Sequence, residues 1–392
     1  MGNNSIPRIR KTIAFISLYT EMGGAEYSLF FLLKSLDRDT YRPILVVNSD
    51  GPLVHKVKSL GIEVFEIPFT VVMLKQILKP RVFSNNLRAS RSLTKLLHEQ
   101  HVDIIQCSDV LALWLLLPAL LVKARPVVYS VTFFHERLRA WMLNLIALPF
   151  VSKLVFNSKS VRDDLLRRTN GLPKRSIVAY NGVETRQFYP RTGDEKAALR
   201  KKLSLPSDKI VIGFIGRYEL WKGHETFLDA ALQLRAKRDD LLFLIVGGAM
   251  TENVIPEISR YRQAVLQKAA AFAQRGDLII MDNRDDIPEI MACLDIFVCP
   301  SDLEPYGLVV LEAYASGIPV VASSTVGALE IFSGDERIFV AEPNNAGSFV
   351  QKIEKAIQFN EHAIHMPQVP SALARYTWAA YAREFEEIYE EL

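Results

Sequence analysis

In the stretch SDLEPYGLVVLEAYASGIPVVAS (residues 301–323), two carboxylates, Glu304 and Glu312, stand either side of Gly307. The apolar run DIFVCPS ends near Ser301 and a helical pattern begins around Gly307, so the glycine opens a helix at the end of a strand. The unpaired amides and dipole of a helix start attract anions. Helical side chains lean back toward the N-terminus, so Glu312, just over one turn in, points to that end. Glu304 reaches the same space from the loop ahead. A second loop brings cations. In GFIGRYELWKGHETFLDA, Arg217 directly follows a strand pattern, Lys222 comes five residues later and Gly223 precedes a helix. Arginine grips a phosphate at two points and lysine adds a mobile point charge. Carboxylates beside phosphates repel them unless they accept hydrogen bonds from hydroxyls. A diphosphate with hydroxylated rings on both sides, as in a nucleotide sugar, meets these demands together. The alternative for Arg217 and Lys222 is a pair of exposed surface cations.

Such loops need a scaffold that delivers them to one place. Strand patterns recur as TIAFISL, RPILVVN, IEVFEIP, VDIIQCS, PVVYSV and KLVFNS, then as KIVIGFIG, LLFLIVGG, LIIMDN, DIFVCPS, IPVVAS and RIFVAE. Helical patterns follow most of them, the signature of parallel α/β layers. Between the halves, VAYNGVETRQFYPRTGDEK carries Asn-Gly, Pro and Gly turn signals and reads as a linker. The expected fold is α/β, with two Rossmann-like domains facing each other across a cleft. Residues 1–185 form the first and 186–374 the second, with a closing helix over 375–392 that packs back on the first. In such sheets ligands bind beyond the carboxyl ends of the strands. The loop YTEMGGAEYSLFFLL puts Gly23 and Gly24 at such an end, where glycine lets a backbone approach a ligand; a plain tight turn is the alternative. It is not a GxGxxG fingerprint, which argues against a nicotinamide dehydrogenase.

Composition narrows the class. Of 392 residues, 49% are hydrophobic and 23% charged, a globular profile long enough for two cores. Residues 1–190 hold 26 Lys+Arg against 14 Asp+Glu, and the remainder 21 against 30. A basic first half and an acidic second half suggest different partners, the first anionic, or else a chance imbalance of solvated faces. Three cysteines without a CxxC spacing point to a reducing compartment. MGNNSIPRIRK lacks the apolar core of a leader and the myristoylation pattern. VLALWLLLPALLV is too short to span a bilayer and reads as a buried helix. Asp37 and Asp39 have a DxD metal-binding spacing but sit in a helix-to-strand turn at the wrong end of a parallel sheet. His98 with His101, and His362 with His365, lack a third ligand and read as surface histidines. No metal site is expected.

The motifs EPYGLVVLE followed by AYASGIPVVAS, GRYELWKG, MGGAE, YNGVETRQFYP and YTWAAYAREFEEIY, in that arrangement over almost the whole chain, resemble the retaining glycosyltransferases of family 4 (glycosyl transferases group 1), which have the GT-B fold. The resemblance implies a role for each matched position. Arg217 and Lys222 hold the diphosphate and stabilise charge on the leaving nucleotide. Tyr306, Gly307 and Leu308 line the donor, the last two offering backbone amides. Glu312 accepts the ribose hydroxyls, Glu304 faces the hydroxyls of the transferred sugar, and Gly23 and Gly24 approach from the other domain. The base lies near Asn283 and Arg284 of MDNRDDIPE. His135, in SVTFFHERL, stands where the family often has a catalytic histidine near the donor sugar; a partly buried histidine ending a strand is the alternative.

The implied activity is metal-independent, cofactor-free, retaining transfer of a sugar from a nucleotide-diphosphate donor to a hydroxyl of a glycan or lipid-linked acceptor, in cell-surface polysaccharide or glycolipid synthesis. Front-side attack, with the donor phosphate helping to take the proton, would retain configuration without a carboxylate nucleophile. The alternatives are a sugar-nucleotide epimerase of the same fold, for which no extra catalytic acids can be placed, and a non-catalytic nucleotide-sugar-binding protein. Arg81, Arg88, Arg91 and Lys95 along one helical stretch, Arg137 and Arg139 after His135, and the aromatics Phe133, Phe134 and Trp141 fit a cytoplasmic protein touching the inner face of an anionic membrane. Nucleic acid is not expected as a partner, because no reader motif accompanies the charge.

Overall fold

Runs of β-branched and aromatic residues become strands, the central ones buried on both faces, and the segments between them become the helices that cover those faces. The computed structural model describes residues 10–70, 79–134, 150–169, 176–248, 256–362 and 369–392. His135, Arg137, Arg139, Trp141 and His365 lie outside the described residues. The chain divides into two units, Met1–Asn181 with Trp378–Leu392, and Gly182–Thr377. Both crossings belong to the second unit because Val183 and Thr377 form a parallel bridge, and the Val183 N–H donates to the Tyr376 carbonyl at 2.9 Å.

The first unit runs β1 (Lys11–Ser17), α1 (Gly24–Ser35), β2 (Tyr41–Val47), α2 (Pro52–Lys58), β3 (Glu63–Glu66), α3 (Pro80–Glu99), β4 (Ile104–Cys107), α4 (Val110–Val122), β5 (Val127–Val131), β6 (Lys153–Phe156), α5 (Lys159–Thr169) and β7 (Ser176–Val178). Its strands are parallel in the order β3-β2-β1-β4-β5-β6-β7. The short edge strand β7 has no counterpart among the sequence patterns, since three residues give too little alternation to register. The run VLALWLLLPALLV is α4, capped by the Asp109 carboxylate, which accepts from the Leu111 N–H at 2.7 Å. Among the described residues, no helix is long and apolar enough to cross a membrane. Phe133 is 44% exposed, whereas Phe134, expected at the surface, packs against the first core. His98 and His101 do not share a helix face, because His101 lies beyond α3 at φ 50. The Asp37 carboxylate is occupied by its own turn, accepting from the Asp39 N–H and the Thr40 hydroxyl.

The second unit runs α6 (Gly193–Lys202), β8 (Ile210–Ile215), α7 (His224–Arg235), β9 (Leu241–Val246), α8 (Pro256–Gln274), β10 (Leu278–Met281), α9 (Ile287–Cys293), β11 (Ile296–Cys299), α10 (Leu308–Ala315), β12 (Val320–Ser323), β13 (Ile338–Ala341) and α11 (Ala346–His362). Its parallel order is β10-β9-β8-β11-β12-β13. Strand order therefore reverses between β8 and β11, a switch point of the kind beside which ligands bind in open parallel sheets.

The last helix, α12 (Trp378–Glu390), belongs to the first unit. Trp378 stacks on Phe31 with ring centres 4.6 Å apart, Lys11 Nζ donates to the Tyr389 carbonyl at 3.0 Å, and the Tyr389 hydroxyl donates to Gln106 Oε1.

Asp295 anchors α6 to the second sheet. It accepts from Lys196 Nζ at 2.6 Å, Arg200 Nη2 at 2.5 Å and the Val211 N–H at 2.7 Å. Burial alone would raise its pKa, but the charges of Lys196 and Arg200 outweigh that and hold it below the usual value. A depressed carboxylate contributes stability that is complete above its ordinary pKa and is lost as pH falls through the folded value. Asp295→Asn should therefore destabilise the second unit by about 3 kcal/mol at neutral pH. Urea titration at pH 7 checks the magnitude, and the gap between variant and wild type should narrow as the pH is taken below about 4.

Candidate active site

The loops after β8 and β11, which flank the reversal of strand order, hold the two candidate motifs. After β8 the chain runs through Gly216, the half-buried Arg217, Tyr218 and Glu219 into a 3-10 turn, Leu220–Lys222, and then Gly223. Gly223 has φ +77, and a Cβ there would stand 2.0 Å from the Pro300 carbonyl oxygen of the neighbouring loop. Only glycine allows this approach. The two loops are also stitched by the Asp302 N–H, which donates to the Trp221 carbonyl at 2.8 Å.

Across this contact Lys222 Nζ meets Glu304 Oε2 at 2.5 Å, with side-chain exposures of 16% and 10%. The fully buried Ser301 hydroxyl donates to the same carboxylate oxygen at 3.2 Å. The Glu304 backbone is fixed as well: it bridges Val326, and its carbonyl accepts from the Gly327 N–H at 3.0 Å. Tyr306 is buried, its carbonyl accepting from the Ala328 N–H at 2.7 Å. Gly307 follows at φ +92 as the N-cap of α10, whose first residue is Leu308.

Glu312, in α10, is half-buried and has no side-chain partner among the described residues. Burial pushes its pKa up to about 7. An unpaired carboxylate near the start of a helix is poised to accept hydrogen bonds from a ligand that supplies hydroxyls.

The surroundings contain groups that motif reading did not single out. Glu219 is 7% exposed, and burial raises its pKa against the opposing pull of Arg217 and Lys222, so a third carboxylate shares the cationic loop. His224, the first residue of α7, is fully buried. Its ring stacks on Tyr218 at 4.5 Å and meets Phe214 edge-on at 4.6 Å, and its Nδ1 lies 3.5 Å from the Tyr261 hydroxyl. Burial and the Lys222 charge push its pKa down to about 3, so a neutral ring braces the loop from behind. The signal for it was the letter after Lys222-Gly223, but a single histidine beginning an apolar helix does not announce a stacking partner six residues earlier.

The remaining candidate positions are placed as follows. The Asn283 side-chain oxygen accepts from the Gly248 N–H at 2.8 Å, tying the β10 loop to the β9 loop. The Gly248 carbonyl in turn accepts from the Tyr218 N–H at 3.1 Å, so Asn283 holds the cationic loop indirectly. Arg284 is exposed and engaged by Asp286 through two hydrogen bonds, at 2.7 and 2.5 Å. In the first unit, Gly23 and Gly24 lie at the start of α1, beyond the end of β1. The Gly23 N–H is already taken by Glu26 Oε2 at 3.1 Å, so an anion there competes with the helix's own carboxylate. Within the second unit, Arg217 and Lys222 thus share a loop with Glu219 and Lys222 meets Glu304, while Tyr306, Gly307, Leu308 and Glu312 follow Glu304 into α10.

This arrangement suits one kind of ligand chemistry. A phosphate would draw Lys222 away from Glu304, and the carboxylate left behind would then need a hydroxyl donor. Both requirements fall on one molecule. The raised Glu312 gives a stability signature of its own. Between its ordinary pKa and about 7 the folded protein keeps a proton that the unfolded chain has released, so stability falls as pH rises through that window. Glu312→Gln should remove the fall, leaving the empty variant a few degrees higher in Tm than wild type at pH 8 and equal to it near pH 4.5; paired thermal melts across that range measure this.

Comparison with known proteins identifies the family and the fold. A family model for Glycosyltransferase Family 4 matches residues 22–187, and one for Glycosyl transferases group 1 matches residues 195–368. A D-inositol 3-phosphate glycosyltransferase of Salinispora tropica is 33% identical over 192 residues, covering 47% of this chain and 39% of that protein. Its counterpart in Corynebacterium aurimucosum is 27% identical over 242 residues, covering 60% and 56%. The chain thus spans about half, or less, of the length of these curated relatives. Among solved structures, HepE of Anabaena in complex with UDP-glucose superposes with a TM-score of 0.80 at 22% identity, over 97% of this chain and 100% of that one. Sucrose-phosphate synthase of Thermosynechococcus elongatus does so at 0.78 and 17%, over 97% and 99%. At these identities the likeness establishes the fold, two parallel-sheet α/β domains of the GT-B type. With its first unit matched by one model and its second by the other, the chain belongs to the family 4, group 1 glycosyltransferases.

Proposed function

We propose that this protein is a metal-independent, cofactor-free, retaining glycosyltransferase that moves a sugar from a nucleotide-diphosphate donor to a hydroxyl of a glycan or lipid-linked acceptor, in the synthesis of a cell-surface polysaccharide or glycolipid. The observation that carries the reading is the Lys222–Glu304 pair at 2.5 Å, with Arg217 on the same loop as Lys222. Donor phosphates take Lys222 and Arg217, which stabilise the charge that develops on the departing nucleotide. Glu304, released from Lys222, accepts hydrogen bonds from the transferred sugar, and Glu312 accepts them from the ribose. The acceptor hydroxyl attacks from the face on which the nucleotide leaves, with the donor phosphate taking the proton. His135, outside the described residues, is assigned to the donor-sugar side on resemblance alone. The acceptor is reached by peripheral contact with an anionic membrane.

HepE binds UDP and UDP-glucose in its crystal structures, so UDP is the first nucleotide to try here. Thermal shift with UDP, GDP, ADP and their sugars should single out one nucleotide series, and stabilisation of the folded protein by none of them would remove the transferase reading. With the donor identified, Lys222→Ala should lower kcat by about two to three orders of magnitude, while EDTA leaves turnover unchanged. Turnover of the donor without any acceptor, yielding an isomerised nucleotide sugar, would indicate an epimerase instead. Hydrogen bonding from ribose favours the ionised form of Glu312, whose pKa in the empty site is about 7. Donor affinity should therefore increase from pH 6 to pH 8 with release of a proton, and calorimetry in buffers of different ionisation enthalpy should find that release absent in Glu312→Gln.

A further inference from the structure

One carboxylate of the second unit is buried without a use in the fold. Glu219 is 7% exposed, and its side chain makes no hydrogen bond or ion pair among the described residues. Its backbone is committed. It stands in extended conformation, φ -131 and ψ 144, ahead of the 3-10 turn Leu220–Lys222, and its carbonyl accepts from the Lys222 N–H at 3.0 Å. In such a turn residues three apart lie one above the other, so Lys222 is brought back over Glu219. Arg217 precedes it by two residues. Lys222 therefore has two carboxylates for neighbours: Glu304, with which it pairs at 2.5 Å, and Glu219, with which it does not.

A buried carboxylate without donors is costly. Others in this unit are satisfied: the Asp295 carboxylate accepts from Lys196, Arg200 and the Val211 N–H, and that of Glu304 from Lys222 and Ser301. For Glu219, burial raises the pKa even against the pull of Arg217 and Lys222, so the cost is not offset in the empty site. Nor is it placed like the carboxylates that suit hydroxyls. Glu304 and Glu312 come from the β11 loop and α10, whereas Glu219 shares a loop with both cations. A negative charge there opposes the very phosphate that Arg217 and Lys222 attract.

Sugar transfer changes the charge of that phosphate. In a nucleotide-diphosphate sugar each phosphate has one ionised oxygen, because the sugar esterifies the terminal one. Transfer breaks the bond from the sugar carbon to the phosphate oxygen, and the electron pair stays on that oxygen. The sugar carbon bonds to the acceptor oxygen, whose proton passes by way of the phosphate to solvent. The terminal phosphate then has a second ionisable oxygen with a pKa of about 6, so at pH 8 the nucleoside diphosphate carries one more negative charge than the donor did. We propose that Glu219 is a specificity-determining residue that disfavours the nucleoside diphosphate product relative to the nucleotide-sugar donor, so that the phosphate loop lets go once the sugar has left. This rests on the proposed donor role of Arg217 and Lys222 and adds to it the step after transfer. At an effective dielectric constant of about 20, one added unit charge within about 10 Å changes affinity roughly tenfold.

The test is calorimetric titration of the full chain at pH 8 with UDP and with UDP-glucose, or with the diphosphate and sugar of whichever series thermal shift singles out. Glu219→Gln should lower the Kd of the diphosphate about threefold to tenfold more than that of the nucleotide sugar. Glu219→Asp keeps the charge and should leave the ratio of the two Kd values within about twofold of wild type. Glu219→Ala, a second neutral variant, should move the ratio in the same direction as Glu219→Gln, and melts without nucleotide show which variants are folded. Dissociation of the diphosphate, followed by stopped-flow displacement, should be several-fold slower from the neutral variants. The proposal is overturned if the folded neutral variants keep the wild-type ratio, or if Glu219→Asp shifts it as far as Glu219→Gln. It is equally overturned if the neutral variants lose affinity for both ligands alike, the mark of a hydroxyl contact or of a purely structural side chain. In each of these cases wild type still binds the donor, and the transferase reading stands. Failure of wild type to bind any of the nucleotide pairs would remove both.

Discussion

The ion pair between Lys222 and Glu304 joins two loops 82 residues apart in sequence. It can form only because β8 and β11 are hydrogen-bonded neighbours at the place where strand order reverses. A buried ammonium and a buried carboxylate are each costly alone, and together they offset that cost only if their geometry is good. The fold supplies it from both sides, with Gly223 letting the loops touch and the Val326 bridge fixing the Glu304 backbone. In the empty site the pair keeps two reactive charges satisfied. On the proposed donor role, that same satisfaction is what would make the site selective. A bare phosphate could win Lys222 but would strand Glu304, and a neutral sugar could satisfy Glu304 but would leave Lys222 without an anion.

Behind this pair lies a rigid second layer. The loops after β8, β9 and β10 are laced through Gly216, Tyr218, Gly248 and Asn283 by hydrogen bonds of 2.8 to 3.1 Å. His224 fills the space beneath them as a neutral aromatic ring among Phe214, Tyr218 and Tyr261. A charged histidine there would add to the positive potential of Arg217 and Lys222, but burial prevents it. The cationic character of the loop is thereby set by Arg217 and Lys222, and it is moderated by Glu219.

Much of this was legible in the sequence, because the features that made it so are local. Parallel strands buried on both faces appear as short, nearly continuous apolar runs, and twelve such runs correspond to β1–β6 and β8–β13. The glycine at 307 and the carboxylates around it announce a helix start, which is where α10 begins. What could not be read is the pairing between distant segments. Nothing near Lys222 says that its partner is Glu304 rather than Glu219, since that depends on which strands become neighbours. Nor does Asn283 reveal that its amide serves a backbone N–H instead of standing free, or Gly23 that its amide is already taken by Glu26. Phe134 looked like a surface aromatic beside Phe133 because adjacent residues in an irregular segment carry no periodicity.

The last helix adds a constraint of a different kind. α12 is made after every element of the second unit, yet Trp378 stacks on Phe31, and Tyr389 bonds to Gln106 and accepts from Lys11 in the first unit. While the chain emerges from the ribosome, the first unit must wait with the flank of α1 and the base of its sheet uncovered until the whole second unit has been synthesised. The order of synthesis therefore does not match the order of completion. The first unit begins first and is finished last, and its apolar flank is the surface that a chaperone would meet in a half-made chain.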